Sequence, residues 1–154
     1  MPSFRTTRRV PHSAENMFAL VADVERYPEF LPLCTGLRIL RRLPAGEGRE
    51  TLVAEMSVGY RAISERFTTK VTTDRNTLDI HVSYIDGPFK YLENRWEFRP
   101  AEGGSDIRFS IDYEFRSRSL GMLMGAMFER AFRMFTAAFE SRADLVYGRA
   151  QPAT

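Results

Sequence analysis

The chain has 154 residues, 44% apolar and 27% charged, which fits one globular domain with a full hydrophobic core. A net charge of +2 is too small to indicate nucleic acid by itself, and the single cysteine, Cys34, excludes an internal disulfide framework or a multi-cysteine metal site. No run approaches the ~18 apolar residues of a spanning helix, and the opening M-P-S-F-R-T-T-R-R-V lacks the apolar stretch of a signal peptide. The expectation is a cytoplasmic protein whose domain spans residues 1–149, with a flexible tail at 150–154.

Taken in chain order, residues 3–10 alternate as a first strand, with Phe4, Thr6 and Val10 on one face, and Pro11 closes it. Ser13 is a good N-cap for a helix to about Asp23, with Met17, Phe18 and Val21 at helical spacing. Tyr27-Pro28 interrupts it, and Pro28 suits the first position of a second short helix ending before Pro32. Six strands follow as a meander. Leu37 and Ile39 begin the first; Leu52, Ala54, Met56 and Val58 alternate in the next. Ile63, Phe67, Thr69 and Val71 share a face, then Leu78, Ile80, Val82 and Tyr84, then Leu92, Trp96 and Phe98. Ile107, Phe109, Ile111, Tyr113 and Phe115 complete the set. Such regular alternation indicates an antiparallel sheet with one buried face. From Ser119 to about Tyr147 the period becomes 3.6. Leu120, Met124, Phe128, Ala131, Phe135, Ala138 and Phe139 form a stripe, with Glu129, Arg133, Glu140 and Asp144 opposite. This helix would be roughly 40 Å long, enough to cross the sheet. The fold class is α+β in two layers.

Candidate chemistry is sparse. His12 and His81 have no ligand spacing and read as structural or solvated, and lone Cys34 reads as a small buried hydrophobe. There is no phosphate-binding glycine loop or nucleophile elbow. Gly121 and Gly125 lie in the last helix, where each costs about 1 kcal/mol against Ala, so a packing or flexibility reason is expected. Ser119 to Phe128 carries no charge, and Met122 and Leu123 fall on the face that should be solvated. With Leu120, they mark a gate, a membrane contact or a protein contact. Glu65 and Asn94 stand at inward strand positions. Either they satisfy each other, or they face a cavity holding water or a ligand head group, or a β-bulge turns them outward. Arg5, Arg8, Arg9, Arg38, Arg41 and Arg42 are candidates for a phosphate-contacting patch.

Segment 10–34, V-P-H-S-A-E-N-M-F-A-L-V-A-D-V-E-R-Y-P-E-F-L-P-L-C, closely resembles the opening of the coenzyme Q-binding, START-like proteins. D-G-P-F at 86–89 with W-x-F at 96–98, D-Y-E-F-R-S-R at 112–118 and L-V-Y-G at 145–148 agree with the same family. Many relatives carry an aromatic where this chain has Leu33, a departure that bears on pocket shape more than on membership. The resemblance implies a helix-grip fold, in which a curved seven-stranded antiparallel sheet wraps a long C-terminal helix around an apolar cavity. It implies a ubiquinone or similar lipid as bound ligand, with no separate cofactor, and carriage of that ligand in support of respiration. The same motifs occur in ribosome-association toxins acting on the large subunit, and the superfamily label is polyketide cyclase/dehydrase. For the ligand site the expected lining is Phe67, Tyr84, Phe89, Trp96, Phe98, Phe109 and Phe115 from the sheet and Met124, Phe128 and Phe135 from the helix, with Glu65, Tyr84 or Asn94 orienting a quinone carbonyl. A binding protein is expected rather than an enzyme, because no base has a visible partner. Peripheral contact with the inner face of a membrane is expected at the uncharged helix start.

Overall fold

The computed structural model describes residues 3–60 and 62–148, so the expected tail at 150–154 lies outside the described residues. Strand β1 (Ser3–Val10) leads into helix α1 (Ala14–Ala22). The Ser13 hydroxyl caps α1 by accepting from the Asn16 N–H at 3.1 Å, and the helix buries Met17, Phe18, Leu20 and Val21. The next element differs from expectation. A 3₁₀ helix runs from Val24 to Glu29, with Pro28 inside it rather than at its start. Burial of Val24 and Tyr27, and the bond from the Tyr27 hydroxyl to the Val21 carbonyl, set where this turn forms. Pro28 only supplies a compatible φ.

The remaining strands are β2 (Cys34–Leu43), β3 (Arg49–Tyr60), β4 (Ile63–Asp74), β5 (Asp79–Asp86), β6 (Phe89–Ala101) and β7 (Gly104–Phe115). They form one seven-stranded antiparallel sheet in the order β1-β7-β6-β5-β4-β3-β2. The first strand therefore closes on the last, and β1 and β2 are the two edges. Two boundaries move. β2 begins at Cys34, three residues before Leu37, and carries register shifts at Cys34/Gly36 and Ile39/Arg41. Leu78 stands outside β5 in the left-handed region (φ 57°), where its carbonyl accepts the Phe98 N–H at 3.1 Å.

Helix α2 (Arg118–Tyr147) packs across the concave face, capped by the Ser117 hydroxyl accepting from the Leu120 N–H at 3.0 Å. Its buried stripe is Met124, Phe128, Ala131, Phe132, Thr136, Phe139 and Ala143. Two residues expected on the solvated side turn inward instead. Glu140 accepts from Arg8 at 2.7 Å, and Asp144 meets His12 at 2.7 Å. Arg142 donates to Glu29 at 2.5 Å, and the Tyr147 hydroxyl to the Asn16 carbonyl at 3.2 Å. All four ties lie in the last eight residues of the helix. This is the helix-grip architecture.

Candidate functional site

Between the 3₁₀ turn, the concave sheet and the middle of α2 lies an apolar cavity of about 100 Å³. Six of the twelve expected ligand residues are in its wall: Phe67, Asn94, Trp96, Phe109, Phe128 and Phe135. Period-2 alternation brought the sheet residues to one face, and helical spacing supplied the other two. Asn94 is 8% exposed and faces inward, with no bulge at its position. Its amide donates to the Ser110 carbonyl at 2.8 Å and accepts the Trp96 indole N–H at 3.0 Å. Asn94 thus satisfies neighbours on its own sheet, not Glu65.

The other six stand elsewhere. Glu65 is half-buried opposite Val58, outside the wall, and bonds to no described residue. Phe98 is fully buried on the α1 side, edge-on to Phe18 at 5.9 Å. Met124 is buried under the start of α2. Tyr84, Phe89 and Phe115 belong to an aromatic cluster at one end of the cavity. Phe89 is its hub: it stacks on Phe115 at 4.8 Å and meets Phe67 (5.5 Å), Tyr84 (5.7 Å), Phe128 (5.8 Å) and Tyr113 (6.2 Å). Gly87 makes this cluster feasible. Its φ is 143°, and an added Cβ would stand 2.5 Å from that of Phe67. The D-G-P-F turn is therefore a device for driving Phe89 into the core.

The wall also contains residues that the alternation did not single out as a site. Val24, Tyr27, Leu31 and Leu33 come from the segment after α1, Val58 from β3 and Phe139 from α2. Phe139 joins the layers, with Tyr27, Phe30 and Trp96 at 5.1–5.3 Å. Leu33, where many relatives carry an aromatic, is in the wall as the family resemblance implied. It is left-handed (φ 68°), and its carbonyl accepts the Gly59 N–H at 3.0 Å. The motif Y-P-E-F-L-P-L-C was legible as a family marker, and of its residues only Leu33 was tied to the pocket.

Tyr27 is the wall's single ionisable side chain among the described residues. Burial raises its pKa far above the ordinary phenol range, and its proton is committed to Val21. Cys34 lies nearby in sequence but outside the wall, and burial pushes its thiol up to about 11. The wall can exclude water and orient one polar group, but it offers no proton donor or acceptor matched to neutral pH. The two histidines are structural: His12 is buried against Asp144, and His81 on the convex face meets Glu93 at 2.5 Å.

The expected arginine patch is not one patch. Arg5, Arg8 and Arg9 lie on edge β1 and pair with Asp112, Glu140 and Asp106. Arg38, Arg41 and Arg42 lie on the other edge, where Arg38 and Arg42 meet Glu55, Glu25 and Glu50. The register separates the two groups by the full width of the sheet.

The family described as polyketide cyclase / dehydrase and lipid transport matches residues 10–140. The chain belongs to that family. Within it, the Escherichia coli K12 protein named ribosome association toxin RatA is 38% identical over 148 residues, 96% of this chain and 90% of that one. The mitochondrial coenzyme Q-binding protein COQ10 homolog B of Xenopus laevis is 30% identical over 145 residues, 89% of this chain and 56% of that one. The solution structure of the 18 kDa protein CC1736 from Caulobacter crescentus matches with a TM-score of 0.79 at 35% identity, over 96% of this chain and 99% of that one. The family thus spans cyclases and binding proteins. No helix among the described residues is long and apolar enough to cross a membrane.

Proposed function

We propose that the protein binds an apolar lipid with a polar ring, of the prenylquinone class, and carries it without transforming it. The observation that carries this reading is the cavity wall: hydrocarbon and aromatic rings around the Asn94 amide and the Thr69 and Tyr27 hydroxyls, with no carboxylate, imidazole or amine among its residues. Such a wall favours burial of an isoprenoid tail at about 0.8 kcal/mol per CH₂ and disfavours acid–base chemistry. The likeness to a coenzyme Q-binding protein supports the ligand class. An apolar cavity of about 150 Å³ takes one benzene ring, so this one must widen to load a substituted quinone. Loading and release would then take place at a membrane.

Trp96 provides the test, since it is in the wall and is the sole tryptophan. A short-chain ubiquinone should quench its emission saturably and raise the melting temperature, with about 2.7 kcal/mol of stabilisation at a hundredfold excess over Kd. Organic extracts of the freshly purified protein should contain a prenylquinone by mass spectrometry. Linear quenching with an unmoved melting temperature would refute the reading.

Ribosome association is the second reading, favoured by 38% identity to a named ribosome association toxin over nearly the whole chain. It requires salt-sensitive co-sedimentation with large subunits, because phosphate contacts release counterions. Absence of co-sedimentation at low salt removes it.

A further inference from the structure

Beyond the Phe89 cluster the surface changes character. From Phe115 to Phe128 there is no Asp or Glu. Met122 is 86% exposed and Leu123 62%, on the first turns of α2. Ile85 is 51% exposed near the end of β5, and the turn that follows is fastened to this end by the Arg116 N–H bonding to the Pro88 carbonyl at 2.9 Å. Arg116 and Arg118 are exposed here, and neither pairs with a carboxylate among the described residues. Arg116 bonds only backbone, the Phe89 carbonyl at 3.3 Å. Arg118 is placed worse still for the fold. It sits in the first helical turn, where the macrodipole disfavours a cation and no acid offsets it. An unpaired cation that the helix does not want needs a reason outside the helix.

A surface groove of about 590 Å³ runs beneath these residues. It is lined by Tyr113, Phe115 and Met122, by Arg116 and Arg118, and by Lys90 and Glu114, which pair with each other at 3.1 Å. Gly121 and Gly125 leave the helix side bare: a Cβ at Gly125 would meet nothing within 4 Å. Phe89 is the partition between groove and cavity. It touches Tyr113 and Phe115 on the groove side and Phe67 and Phe128 on the cavity side.

We propose that this end of the molecule is a docking face for an anionic phospholipid surface, and that the groove seats a lipid against the partition through which ligand passes to the cavity. Exposed Met and Leu between unpaired arginines are what a helix needs to lie at headgroup depth. Charge complementarity selects anionic lipid: the groove's one acid, Glu114, is taken up by Lys90, and Arg116 and Arg118 are left over. The docking half stands alone, whereas the passage half rests on the lipid-carrier reading.

The test is flotation of the full chain with vesicles of phosphatidylcholine, alone or mixed with phosphatidylserine. Attachment is expected to the anionic vesicles only and to weaken with salt. Arg118→Glu, which the helix dipole should favour, is expected to keep the melting temperature and to lower attachment at least about fivefold, since one surface cation is worth about that factor. Met122→Glu with Leu123→Glu should do the same by removing the apolar contact. Asp86→Asn, at the end of β5, should strengthen attachment. Equal attachment to both vesicle types, no attachment, or full attachment by the folded variants would overturn the docking face. So would loss of large-subunit co-sedimentation by Arg118→Glu with vesicle binding intact, which would assign the face to RNA. Extracts free of apolar lipid from a protein that still floats would sink the carrier reading and leave docking standing.

Discussion

Asn94 shows how much one side chain on a hydrocarbon wall can decide. A carboxamide can make four hydrogen bonds, and this one makes two within the described residues, to Ser110 and from Trp96. One N–H and one lone pair are left to face the cavity. Asn94→Leu should weaken short-chain ubiquinone by roughly threefold to tenfold, the net worth of one hydrogen bond. Affinity for an alkylbenzene of equal tail length should stay put, which calorimetry on both ligands would check. The melting temperature should also fall, because Trp96 and Ser110 lose their partner. Asn94 was legible in the sequence because strict alternation about Leu92 and Trp96 turned it inward. The same logic placed Glu65 beside Phe67, but alternation gives a face and not a depth, and Glu65 lies outside the wall. Leu33 was legible as a pocket residue through the family resemblance alone, and its backbone conformation was not legible at all. Nothing in its side chain announces a positive φ, and the Gly59 N–H that holds its carbonyl is 26 residues away in the chain.

At the scale of the element, α2 is fastened at one end. Arg8, His12, Glu29 and Asn16 hold its last eight residues, while the first turns carry two glycines and exposed apolar side chains. Gly125→Ala adds a methyl into open space, so it should stabilise the fold by about 1 kcal/mol through helix propensity. If the free end must lift for ligand to pass, the same change should slow quinone exchange in stopped-flow Trp96 fluorescence. Faster or unchanged exchange would mean that the helix does not move. The sequence marked the helix, its length and most of its buried stripe. It missed the inward roles of Glu140 and Asp144, because a carboxylate on a helix reads as solvated until a distant partner is known.

At the scale of the molecule, the hairpin order was readable because each pair of alternating runs was split by a short turn. The closing of β1 onto β7 was not readable that way: more than ninety residues separate them, and only the family resemblance implied it. That closure leaves β1 and β2 as open edges, each crowded with arginine. β2 reads L-R-I-L-R-R-L from Leu37 to Leu43, and Leu40 is 42% exposed. Stripped of its charges, this is an apolar edge, interrupted only by the shift at Ile39/Arg41, whose unpaired backbone invites a second copy to add its own strand. Arg41→Val with Arg42→Val should leave the melting temperature nearly unchanged at dilution. Light scattering should then grow with protein concentration, and a variant that stays monomeric would show that the charges guard nothing. Arginines that in the linear sequence look like a footprint for phosphate would, by their place in the sheet, act as a guard against self-assembly into fibres.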